Sequence, residues 1–271
     1  MGDTVGAWLA VLERGWPARD ALAWDRPGLQ VGDPAWPVAR LLVALDVTAE
    51  VLDEAAAVPD TLLVAHHPLL LRPLAALTPA TAAGRLALRA AVARVAVAAA
   101  HTNLDAADDG TGTSDPVVRA LGLERVGPLL APERPDARPL GRVGDLPAPL
   151  RLGDVARTVA AGLGAAAVRV VGPEDREVRR VAVLGGSGAD AAGDALAAGA
   201  DVLVTGDVRH HVALDALALG LALVDAGHHA TEAAAMPAFA ARLAELAAGA
   251  GLTAPVGVSG VATDPWTTVV P

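Results

Sequence analysis

The chain alternates between short apolar runs and longer segments in which apolar residues recur every three or four positions. The short runs carry no strict polar alternation, which is the pattern of strands covered on both faces. They lie at 38–47, 62–65, 95–100, 168–171, 181–184, 202–205, 221–224 and 254–258. Helical spacing is read over 4–14, 82–93, 155–161, 211–219 and 230–248, where Pro237 predicts a kink or a restart. Thr48, with Glu50 in the turn after it, reads as the N-cap of a further helix reaching about residue 57. Residues 127–150 are rich in proline and glycine, show little periodicity, and are read as a crossover between two halves.

Strands alternating with helices predict an α/β fold: two related, layered α/β domains with mostly parallel or mixed sheets. The first domain is expected over 1–126 plus 235–271 and the second over 127–234. In such sheets ligands collect at the carboxyl ends of the strands, so a metal site is expected in the cleft between the domains. A length of 271 residues suffices for two cores.

Composition narrows the chemistry. Hydrophobic residues make up 53% of the chain, much of it alanine and valine, so cores of small aliphatic side chains are expected. There is no cysteine, which removes disulfides, thiolate ligands and cysteine nucleophiles. Any metal must be held by nitrogen and oxygen. The formal net charge of −10 opposes general nucleic-acid binding. The densest basic group, Arg176, Arg179 and Arg180, is offset by Glu174, Asp175 and Glu177. The first residues lack the form of a signal peptide, and charged or proline residues interrupt every apolar stretch. A cytoplasmic protein without membrane association is expected.

The placement of the seven histidines carries most of the functional reading. His66, His67, His101, His210, His211, His228 and His229 all lie at, or in the turn after, the carboxyl end of a predicted strand. Neutral imidazole suits zinc, iron, manganese and nickel to different degrees. Adjacent residues of an extended segment point opposite ways, so His66 and His67 are expected to reach two different ions. His228 and Glu232 are four apart at the start of a predicted helix and share a face. Asp105 supplies a further oxygen. These five residues form the expected ligand set of a two-ion site. The alternative is that strand-end histidines merely hold turns. His101 is read as a candidate catalytic residue, acting as a base towards a water or by supporting the ligands, against a reading in which it only holds its own turn. Asp46, His210 and His211 are candidates for supporting the ligands or facing a substrate; His210 and His211 can equally be a helix-start pair capped by Asp207. Gly185–Gly186–Ser187–Gly188 reads as a tight turn, with an anion seat as the alternative.

The motifs HHP at 66–68, HTNLDA at 101–106 and GHHATE at 227–232 resemble those of the Nif-three-like dinuclear metal-centre hexameric proteins, often labelled GTP cyclohydrolase I type 2 homologues. The segments WDRPGLQVG at 24–32 and DPW at 264–266 are similar as well, so the resemblance runs from about residue 5 to 268 in the short form of the family. Arg26 and Trp266 depart from it, standing where asparagine and phenylalanine are more usual. The resemblance implies two divalent ions per chain: one held by His67 and Asp105, one by His66 and His228, with Glu232 bridging. It further implies a homo-hexamer and a metal-dependent hydrolase acting on a small nucleotide-like or cyclic amide substrate. The alternative is a non-catalytic metal-binding scaffold or metal chaperone that meets regulatory proteins. The ligand types do not name the metal.

Overall fold

The computed structural model describes residues 2–269. It divides into two compact units. One runs to Ala107 and resumes over Met236–Thr263; the other spans Asp108–Ala235 and resumes at Asp264. The second unit therefore begins nearer the amino terminus than the expected boundary at 127.

The first unit opens with helix α1 (Val5–Gly15), whose first turn is closed by Thr4 Oγ1 accepting from the Ala7 N–H at 3.3 Å. Its strands are β1 (Gly28–Val31), β2 (Arg40–Ala44), β3 (Thr61–Ala65), β4 (Ala96–Ala99) and β11 (Val256–Val258), in the spatial order β1-β4-β3-β2-β11. Strands β2, β3, β4 and β11 are parallel and β1 runs antiparallel to β4. The connections are helical, as parallel pairs require. Helix α2 (Ala49–Ala56) follows β2, and Thr48 Oγ1 accepts from the Val51 N–H at 3.2 Å, the N-cap the sequence predicts. Helix α3 (Ala82–Val92) follows β3. Leu42, Leu63 and Val97 pack with Val51, Leu52 and Ala90 into one core. After β4 comes one helical turn, α4 (Thr102–Asp105).

The second unit contains α5 (Asp115–Leu121), β5 (Glu124–Leu130), β6 (Leu140–Arg151), α6 (Leu152–Leu163), β7 (Arg169–Val171), β8 (Glu177–Val183), α7 (Ala192–Ala197), β9 (Val202–Thr205), α8 (His210–Ala218), β10 (Ala222–Asp225) and α9 (His228–Ala233). The sheet order is β5-β6-β8-β9-β10-β7, with β8, β9 and β10 parallel. One face packs on α5 and α6 through Val117, Leu152, Val155, Val159, Val181 and Val202. Alternate strand residues, among them Ala182, Leu203 and Leu223, form a second core with Ala195 and Ala216.

Two expectations change. The segment 127–150 is largely paired strand. Strand β5 is an edge and tolerates Pro128, while Pro147 and Pro149 fall between Asp145 and Leu150, where the β6–β8 register shifts. Strand β1 is added at the edge of the first sheet. The carboxyl-terminal helical stretch restarts at Pro237 as expected: α9 gives way to α10 (Met236–Gly249), with Pro237 in its first turn, where a missing N–H costs nothing.

Candidate metal centre

In the first unit β2, β3 and β4 are parallel neighbours, so their carboxyl ends deliver Asp46, His66, His67 and His101 to one sheet edge. The ring nitrogens of His66, His67 and His101 that can serve as ligands lie within 4.8 Å of one another. The opposed orientation expected for His66 and His67 does not hold. Strand β3 ends at Ala65, the alternation of an extended chain lapses there, and the two rings sit 5.0 Å apart with planes at 50°. Asp105, at the end of α4, brings Oδ1 to 3.6 Å from His66 Nε2.

Each imidazole is oriented through its other nitrogen. His66 is fully buried and its Nδ1–H donates to the Ala100 carbonyl at 3.0 Å. His67 Nδ1–H donates to Asp46 Oδ1 at 2.7 Å, and Asp46 Oδ2 accepts from the Thr263 hydroxyl at 2.5 Å. His101 Nδ1–H donates to Asp25 Oδ1 at 2.9 Å. A carbonyl or carboxylate can only accept, so each ring donates through Nδ1, and a neutral ring then carries its lone pair on Nε2. Asp25 is buried and also accepts from the Thr102 N–H, the Thr102 hydroxyl and the Arg26 N–H, at 3.0, 2.5 and 2.6 Å. Burial pushes its carboxyl up, but these hydrogen bonds and the His101 ring outweigh it and hold its pKa at about 2.

In the second unit the pattern recurs. Gly227 has φ +84°, a backbone that glycine adopts readily, and turns the chain from β10 into α9 so that His228 leads the helix. His228 Nδ1–H donates to Asp207 Oδ2 at 2.7 Å. His228 Nε2 lies 3.1 Å from Glu232 Oε2, the one-turn pairing predicted for these two residues. Glu232 is buried. Gly186 borders its carboxylate so closely that a Cβ there would come within 2.2 Å of Oε1. The glycine N–H groups of the Gly185–Gly188 loop are spent on side chains: Gly185 on Ser114 Oγ at 3.3 Å, Gly186 on Thr231 Oγ1 at 3.0 Å and Gly188 on Thr205 Oγ1 at 2.8 Å. The loop is a close-packed turn that walls Glu232.

Asp207 orients His228, so the expected cap on His210 and His211 does not form; α8 has no side-chain cap. His210 and His211 are exposed, stack on each other at 5.3 Å, and join none of the ligating groups among the described residues. A cavity of about 330 Å³ lined by Ser187, Ala189, Asp190, Asp207 and Arg209 opens beside Asp207. Asp25 and Asp207 are the residues the sequence reading did not assign to the site. Asp207 was legible as a carboxylate just past a strand end, and Asp25 only through its place in WDRPGLQVG.

The sequence profile of the Duf34/NIF3 (NGG1p interacting factor 3) family matches residues 4–265. The chain belongs to this family. A Streptomyces coelicolor relative named GTP cyclohydrolase 1 type 2 homolog is 41% identical, covering 96% of this chain and 92% of its own. One of the same name from Clostridium acetobutylicum is 31% identical over 90% of each chain. Among solved structures, a Bacillus cereus protein related to NIF3 aligns with a TM-score of 0.89 and 28% identity, covering 99% of this chain and 100% of that one. The α/β fold is therefore that of other NIF3-related proteins.

The donor chemistry fits divalent metal. Every group offered is an imidazole nitrogen or a carboxylate oxygen, and the imidazoles are fixed from behind by oxygen acceptors, as metal-ligating histidines are. No described helix is long and apolar enough to cross a membrane.

Proposed function

We propose that this NIF3-family protein is a dinuclear metal-dependent hydrolase. Its ligands are His66, His67 and Asp105 from the first unit and His228 and Glu232 from the second. The observation that carries the reading is the common wiring of the histidines, each with Nδ1–H on an oxygen and Nε2 presented as a donor. Five imidazole and carboxylate donors, one of them a carboxylate able to bridge, are the number that suits a pair of ions. Zinc, iron, manganese and nickel are all compatible with this set. When bound, such ions supply Lewis acidity and ease the deprotonation of water. The chain's part is to hold the donors still and to keep His101, buttressed by Asp25, beside them as a proton acceptor. The name carried by the relatives, GTP cyclohydrolase 1 type 2 homolog, supports a small nucleotide-like or cyclic amide substrate. A cytoplasmic homo-hexamer completes the reading, and sedimentation of the purified protein measures its mass.

The test is elemental analysis with turnover. Two divalent ions per chain are expected, and Glu232→Ala is expected to lose at least one of them along with hydrolysis of cyclic nucleotides and cyclic amides. A fully active, metal-free Glu232→Ala protein overturns the proposal. The family description, NGG1p interacting factor 3, favours a second reading: a metal-binding scaffold that meets regulatory proteins. Two bound ions without turnover on any substrate of the panel would support that reading instead.

A further inference from the structure

The ring cluster of the first unit extends to the surface. The Trp24 indole meets His101 nearly at right angles, with ring centroids 5.7 Å apart. The His101 ring in turn lies 5.2 Å from His66 and 5.6 Å from His67. Trp24 is 52% exposed, whereas Trp8, Trp16 and Phe239 are buried and Trp36 carries the Arg94 guanidinium over its ring at 4.7 Å. Among the described aromatics of this unit, Trp24 therefore combines a broad exposed surface with contact to the candidate centre.

Its backbone is anchored on the side facing the centre. The Asp25 N–H bonds the Leu22 carbonyl at 3.0 Å, and the buried Asp25 carboxylate grips His101 and Thr102. The Arg26 guanidinium closes on the Asp25 carbonyl at 2.6 Å, and Pro27 fixes the next turn of chain. A ligand that settles on this indole finds much of the ordering already done. An apolar ring left in water beside polar ligands also gains most from a flat partner, because stacking adds to the area buried.

We propose that Trp24 is the stacking platform of the substrate and selects a planar heteroaromatic ring of the nucleobase class. This rests on the reading of the centre given above. The ring of the substrate lies on the indole, and its polar edge is turned towards His101 and the ligands beyond. A saturated or purely phosphate ligand gains nothing from Trp24.

Calorimetric titration of the full-length, metal-replete protein with GTP, ATP and inorganic tripolyphosphate tests this, alongside Trp24→Leu and Trp24→Phe. The wild type is expected to bind the nucleotides more tightly than tripolyphosphate. Trp24→Leu is expected to weaken nucleotide binding about tenfold or more, the size of a base–aromatic stack, and Trp24→Phe to restore most of it. Tripolyphosphate affinity and metal content should be the same in all three proteins. Nucleotide affinity indifferent to Trp24→Leu overturns the inference, and so does a wild type that binds neither nucleotide. A changed sedimentation mass in Trp24→Leu at unchanged nucleotide affinity would assign the indole to a contact between copies. Metal content separates the two levels: a protein that binds no ions removes the hydrolase reading, whereas one that holds ions but ignores Trp24 removes only this inference.

Discussion

At the scale of single residues, the proposed centre is defined as much by what stands behind its candidate ligands as by those ligands. Gly186 is the sharpest case. Its φ of +68° strains any side-chain-bearing residue, and a Cβ would collide with Glu232 Oε1 at 2.2 Å. Gly186→Ala is therefore expected to displace the Glu232 carboxylate and lower metal affinity by about 10- to 100-fold, the effect of disturbing a ligand's support. The fold should survive with a loss of about 1–3 kcal/mol, and metal titration beside urea unfolding checks both. Asp25 makes a prediction in pH. Its folded pKa of about 2 lies below the ordinary 3.8, so its contribution to stability is complete above the ordinary value and is lost as pH falls through the folded one. The window is thus roughly pH 4 to 2, and the contribution at neutral pH is about 2 kcal/mol. Asp25→Asn should be less stable by about that amount at pH 7 and should show a shallower loss across the window. Equal stability curves for the two proteins would remove the role given to these hydrogen bonds.

At the scale of elements, what could be read in advance followed from periodicity. The buried parallel strands β2, β3, β4, β9 and β10 are nearly continuous apolar runs and were legible, as were the apolar end of β8 and the Thr48 cap. Strands β5 and β6 were not, because Pro128, Pro147 and Pro149 look like breakers until an edge position or a register shift is known to take them. The grouping of His66, His67 and His101 was legible because strand ends in a parallel sheet share one edge, which turns a one-dimensional spacing into a cluster. The directions of the side chains were not. Whether His66 and His67 diverge depends on where β3 stops, and one residue of strand decides it. The oxygens that Asp25 and Asp207 bring to Nδ1 come from 76 and 21 residues away from their histidines, and no local pattern announces them.

At the scale of the whole molecule, the chain forms two units with separate cores, and the chain passes between them more than once. Ions that bind the folded state alone stabilise it in proportion to the logarithm of their concentration over Kd, about 2.7 kcal/mol at a hundredfold excess. Removing them with a chelator is expected to lower the midpoint of thermal unfolding by several degrees. Adding back a divalent ion should restore it in a concentration-dependent way, and scanning calorimetry reads both. A midpoint insensitive to chelation and refilling would count against bound ions.

The histidine wiring also grades how far the centre can be adjusted. His67, His101 and His228 each lean on a carboxylate that a single substitution can exchange for an amide, which changes how strongly the ring donates. His66 leans on the Ala100 main-chain carbonyl, which no substitution replaces. The proposed centre therefore has three imidazoles whose basicity selection or design can retune and one whose donor strength comes with the fold, so in that reading any change of preferred metal has to be made around a constant His66.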